Sequence, residues 1–202
     1  MRTIHGLLLV ALATTMLWLP ACGDSGGFDG GDGGTDTDAD TDADADAGGD
    51  CAEAWYDPAS GLSWAVLPSV DGEMNWQSAA DFCDAMALCG DDDWRLPTVD
   101  ELRSLVRGCP DTETGGACEV TDYCATPDCW NSACDSCAFD EGPDAGCYRP
   151  AEMEGSCIPM WTSTGDEESE PGAWTVGFRT AAVANVTKTT IDAGARCVRP
   201  GP

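Results

Sequence analysis

The sequence predicts an α+β domain held behind an acidic tether, and three observations carry that prediction. Two stretches, opening at Asn75 and Thr98, place apolar residues at helical spacing. Five others alternate apolar with polar residues as short strands do, and four of these five follow both helices. Helices and strands that are segregated along the chain point to α+β rather than to a parallel doubly wound sheet. Ahead of both lies a run made almost wholly of Gly, Asp, Ala and Thr, which has too little apolar surface to offset its chain entropy.

The N-terminal residues set the compartment. Arg2 gives a short basic start, Ile4–Leu19 is an apolar run, and "LPAC" ends at Cys22. A small residue before Cys22 and acidic, Gly-rich sequence after it fit a signal peptide over 1–21 rather than a membrane span. The box resembles a bacterial lipobox, which implies a lipid on Cys22 and a chain anchored in the cell envelope, facing outward from an outer membrane. Ordinary cleavage with secretion is the competing reading. Residues 22–50 then form the tether, and at ~3.3 Å per residue the 28 positions from Gly23 reach at most about 90 Å. Alternating Asp36 to Asp46 hint at a calcium loop, but the sixth and twelfth positions hold Thr41 and Ala47 where Gly and Glu are needed. A solvated spacer is the expectation.

Cys51–Pro202 is long enough for one domain. In "NWQSAADFCDAMALCG", Asn75 caps a helix whose apolar face carries Trp76, Ala79, Ala80, Cys83, Met86 and Ala87, with Gly90 as its stop. In "LPTVDELRSLVRG", Thr98 and Glu101 make a capping box, and Val99, Leu102, Leu105 and Val106 make the buried face. Arg103 and Arg107 then fall near the negative end of the helix dipole. "GLSWAVL", "MWTST", "AWTVGF", "VANVT" and "ARCVR" read as strands of a mostly antiparallel sheet. The stretch "DDDWRLPT" before the second helix sends Trp94 and Leu96 inward about Arg95. Pro97 enforces the extended approach, so Trp94 is expected to lock that helix onto the sheet.

"GLSW", "NWQSAADFC", "DDDWRLPTVDELRSLV", "WTST", "AWTVGF" and "RCVR" occur in the order of the family named for the C-terminal domain of the Legionella collagen-like protein. The chain resembles that family over most of Cys51–Arg199 outside residues 109–157. The resemblance implies a bacterial surface protein with a C-type-lectin-like fold. It also implies a bridge from Cys83, on the first helix, to Cys197, in the last strand.

The chain has 13 cysteines, so 12 remain beside Cys22, the even count of an exported disulfide framework. Eight sit in the insert 109–157: Cys109, Cys118, Cys124, Cys129, Cys134, Cys137, Cys147 and Cys157. Four internal bridges there would substitute for a core. The connectivity is open, and Cys51 and Cys89 pair either with each other or with the insert. "CDSC" (Cys134–Cys137) lacks a second pair at zinc spacing, so no metal site is expected.

The only histidine, His5, lies in the signal, which removes Ser–His–Asp and Cys–His catalysis from the domain. No phosphate-cradling Gly motif occurs, so no cofactor is implied. Carboxylate pairs of the glycosidase kind remain open to Glu152, Glu154, Asp166, Glu167, Glu168 and Glu170. Acids are abundant everywhere in a chain of formal net charge −28, so these are expected to be solvated surface and no catalytic residue is assigned. The same charge argues against nucleic acid as a partner. The sulfated glycosaminoglycans associated with the collagen-like protein suit a basic surface, and that ligand does not carry over. The expected function is a surface binding or adhesion module for an extracellular polysaccharide or protein. A structural envelope lipoprotein and a carbohydrate-active enzyme are the alternatives. Trp130, Trp161 and Trp174 are the candidate stacking faces for a sugar, although strand patterning favours the core for Trp161 and Trp174.

Overall fold

The computed structural model describes residues 51–68, 72–135, 137–166, 168 and 171–202. The signal segment, the lipidation candidate Cys22, the tether, Glu167 and Glu170 lie outside the described residues. Within them the order is β1 (Ala54–Asp57), β2 (Leu62–Ala65), α1 (Trp76–Asp84), α2 (Val99–Arg103), β3 (Pro159–Gly165), β4 (Gly172–Gly177), β5 (Val183–Thr187) and β6 (Val198–Pro200). The fold is α+β. Its strands form two three-stranded antiparallel sheets, β1-β2-β6 and β3-β4-β5, where the patterning had suggested one. The last strand returns to the start of the domain, setting Val198 opposite Trp64, while β3 to β5 fold back on each other in sequence order.

Both helices are shorter than their apolar periodicity. Asn75 caps α1 by accepting from Ser78 N–H at 2.9 Å, and Ala85 ends the helix five residues before Gly90. Cys89 and Gly90 instead take left-handed backbone, φ 61° and 84°, in a two-residue reversal whose flanking residues Leu88 and Asp91 exchange hydrogen bonds. Met86 and Leu88 still pack on the cluster that α1 buries, which is why the helical spacing runs on past the helix.

The segment before α2 joins three parts of the fold. Arg95 exchanges backbone hydrogen bonds with Val198 at 3.0 and 2.9 Å, extending the first sheet beyond β6. Trp94 and Leu96 are both buried, in one cluster with Ala79 and Cys83 of α1, Trp161, Ala195 and Cys197. The α2 residues Val99 and Leu102 go to the other cluster, with Trp64, Trp174 and Phe178. Trp94 therefore packs in the cluster of α1, while the buried face of α2 enters the other cluster. The acids ahead of Trp94 have a structural partner: Arg199 pairs with Asp91 at 2.8 Å and with Asp93, its guanidinium 6.0 Å above the Trp94 ring.

The capping box forms as spaced: Glu101 N–H donates to Thr98 Oγ1 and Thr98 N–H to Glu101 Oε2. Arg95 grips both oxygens of the same carboxylate at 2.7 and 2.8 Å. Burial alone would raise the pKa of Glu101, but the hydrogen bonds from Arg95 and Thr98 outweigh it and hold the carboxyl below its ordinary value. Arg103 lies in the last turn of α2, where the patterning placed it, and is buried. Its guanidinium donates to the carbonyls of Thr112 and Glu113 at 2.9 Å, of Cys118 at 3.0 Å and of Val120. Only Arg107 serves the helix end, donating to the carbonyls of Ser104 and Val106.

Tryptophans fix the remaining loops. Trp76, Trp94, Trp130, Trp161 and Trp174 each donate the indole N–H to a distant backbone carbonyl: Thr162, Leu88, Val183, Met74 and Ala125 respectively. Trp64 N–H is buried without an acceptor among the described residues, and nothing in the structure explains it.

All twelve cysteines of the domain are bridged. Cys83 joins Cys197, with Sγ atoms 2.03 Å apart, and Cys51 joins Cys89. The eight cysteines of the insert pair among themselves as Cys109–Cys137, Cys118–Cys134, Cys124–Cys129 and Cys147–Cys157. Cys134 and Cys137 thus belong to two different bridges.

Two outcomes follow. Arg103→Met should lower stability by at least about 3 kcal/mol in denaturant titrations of the oxidised protein, because it leaves four carbonyls, three of them in buried hydrogen bonds, without a charged donor. Since the folded pKa of Glu101 lies below its ordinary 4.5, its contribution is present above that pH and is lost as pH falls through the folded value. Glu101→Gln should therefore cost about 1 kcal/mol near neutrality and flatten the acid limb of a stability-against-pH curve.

Candidate functional site

The insert is attached along the β4–β5 reversal. Cys137 N–H donates to Thr180 O, Asp140 N–H to Arg179 O and Tyr148 N–H to Phe178 O, at 2.7, 3.1 and 2.7 Å. The Tyr148 hydroxyl donates back to Ala138 O at 2.7 Å. The bridges Cys109–Cys137 and Cys147–Cys157 fasten the two ends of this stretch. Between insert and reversal a concavity of about 720 Å³ opens, lined by Phe139, Asp140, Ile158, Arg179 and Thr180, with Glu73 on its edge. That volume lies within the range of small-ligand sites.

Phe139 stands at the rim with 61% of its surface exposed. The guanidinium of Arg179 lies 4.6 Å from its ring centroid while Arg179 Nε donates to Asp140 Oδ1 at 2.8 Å. An exposed ion pair contributes little stability by itself. Here the ring and the carboxylate both contact the guanidinium of a side chain that is 58% exposed. The groove thus offers an apolar face, a donor and acidic acceptors.

Backbone strain gathers at the same place. Asp140, Ala145 and Ala181 have left-handed backbone, with φ of 59°, 47° and 58°. An L-alanine in that region costs about 1 kcal/mol. Ala145 and Gly146 form a two-residue reversal between Asp144 and Cys147, which exchange hydrogen bonds. Strained backbone of this kind collects at ligand-facing positions.

Of the sequence candidates, Trp161 and Trp174 are fully buried and present no face to a ligand. They occupy inward strand positions, and their N–H groups are bound to backbone. Trp130 is 42% exposed and sits outside this groove. Glu152, Glu154 and Glu168 are exposed, whereas Asp166 is buried and accepts from Glu168 N–H and from Asn185 Nδ2. Cys51, Glu53 and Cys89 bring metal-type donor atoms together, but both sulfurs are bonded to each other. Phe139 and Arg179 escaped the sequence reading because Phe139 has no apolar periodicity around it, and Arg179 follows a strand with nothing to mark its partner.

A family model described as the Lcl C-terminal domain matches residues 53–199. The chain belongs to that family. The Lcl C-terminal domain spans both sheets, both helices and the insert, so the groove is built wholly within it. The family points to an extracellular surface or binding module on an exported chain. No curated protein and no solved structure matches this Lcl domain. Among the described residues, no helix is long and apolar enough to cross a membrane.

The strain at Ala145 is open to a direct check. Ala145→Asn places the Asn-Gly pair favoured by such reversals and should raise stability by about 1 kcal/mol, read as an increase in the midpoint of thermal or denaturant unfolding.

Proposed function

We propose that this Lcl domain is a binding or adhesion module that presents the Phe139–Arg179 groove to an extracellular polysaccharide or protein. A lipid on Cys22 anchors it in the envelope, outward from an outer membrane, and the acidic run to Asp50 holds it clear of the surface. One observation carries the reading: an exposed ring and a guanidinium share a concavity of about 720 Å³. Aromatic faces beside hydrogen-bonding side chains suit both sugar rings and peptide side chains. The module acts by binding and is no enzyme. Its domain has no histidine, and the carboxyl groups held below their ordinary pKa, Asp93 and Glu101, are paired with arginines that join parts of the fold. Nucleic acid is not a partner of so acidic a chain.

A glycan array and a pull-down from envelope fractions, run with the wild-type chain and with Phe139→Ala, test this reading. The expected result is a ligand retained by the wild type and weakened about tenfold by the substitution. Ligands bound equally by both proteins, or no ligand at all, would place the function elsewhere.

A further inference from the structure

A second exposed aromatic constellation lies in the insert, away from the lining of the groove. Cys124–Cys129 closes a five-residue step, with Cα atoms 5.8 Å apart. Tyr123 precedes the first of these cysteines and Trp130 follows the second. Neighbouring Cα atoms are 3.8 Å apart, so the bridge holds Tyr123 and Trp130 within about 13 Å of each other. Tyr123 is 97% exposed at the tip of a reversal in which Thr121 and Cys124 exchange two hydrogen bonds of 3.1 Å. Trp130 keeps 42% of its surface exposed while its N–H donates to Val183 O at 3.0 Å. Two solvent-exposed acids flank these rings in sequence: Asp128, two residues before Trp130, and Asp122, beside Tyr123, whose Oδ1 accepts from Thr164 Oγ1 at 3.0 Å and from Asp100 N–H at 3.5 Å.

Ninety-seven per cent exposure of a tyrosine on a disulfide-fixed turn has no folding role to explain it. The charge along this stretch of chain is one-sided, and the Arg103 guanidinium that reaches its Val120 carbonyl is buried. From Pro110 to Tyr148 the chain has nine Asp or Glu and no Lys or Arg. Arg95, whose charge reaches Asp122, is already gripped by both oxygens of Glu101. Aromatic faces flanked by carboxylates attract guanidinium and ammonium groups, through cation–π contact and ion pairing together. The same charge repels acidic glycans and phosphates.

We propose that this face docks an arginine- or lysine-rich segment of an extracellular protein, with cationic side chains laid on Tyr123 and Trp130 and paired with Asp122 and Asp128. The proposal does not rest on the Phe139 groove. The test uses the full chain, with a nona-arginine peptide as probe and a Gly-Ser peptide of equal length as reference, followed by calorimetry at low and raised salt. Tyr123→Ala leaves the net charge and the fold untouched, and should weaken nona-arginine binding about fivefold. Asp122→Asn with Asp128→Asn should weaken it at least about fivefold, while Asp84→Asn with Glu152→Gln, the same loss of charge elsewhere, should change it less than about twofold. Phe139→Ala should leave it unchanged. The proposal is overturned by absence of peptide binding, by equal affinity of wild type and Tyr123→Ala, or by equal losses from the two charge-matched pairs. It also fails if Phe139→Ala gives a matching loss, or if Tyr123→Ala abolishes binding of a neutral oligosaccharide in place of the peptide.

Discussion

A single buried guanidinium organises the part of this domain that has least core of its own. Arg103 reaches from α2 into the insert and takes four carbonyls spread over Thr112–Val120. Arginine suits the place because its donors lie in a rigid planar fork and it keeps its charge where a lysine would tend to lose it. Burial lowers its pKa, an unfavourable contribution that the four acceptors offset. Arg196 repeats the arrangement, donating to the carbonyls of Ala65, Val66 and Glu154, with burial and then the Arg149 charge pushing its pKa down. Around these centres the bridges Cys118–Cys134 and Cys109–Cys137 close the chain, so charge-assisted hydrogen bonds and covalent links add to the apolar packing of Val120, Ala125, Tyr148 and Met153 in the main core.

The main elements were legible because their signals are local. A capping box needs only Thr98 and Glu101 at the right spacing, and period-two alternation marked β2, β3, β4 and β5 without knowledge of their partners. What escaped depends on contacts far apart in sequence. The division into two sheets rests on β6 choosing β2, 136 residues away by the pairing of Ser63 with Arg199. β1 (Ala54–Asp57) has no strong alternation and became a strand by pairing with β2. The burial of Arg103 was not legible because nothing local reveals that carbonyls of a later loop will surround it.

The candidate binding surfaces were the least legible part. Trp130 was marked by its type and is partly exposed, whereas Trp161 and Trp174, marked for the same reason, are core. Large aromatics in this chain chiefly fasten loops through their N–H groups, so aromatic identity by itself separates support from display poorly. Phe139 and Tyr123 lack a ring N–H and stand at solvent-facing turns, and both became visible only once the disulfides had fixed those turns.

The bridge between Cys83 and Cys197 connects α1 to the residue just before the final strand. A protease that cuts one peptide bond anywhere between these two cysteines would generate two polypeptides that remain one molecule. Nicking alone would then leave the halves together until a reductant arrived as well.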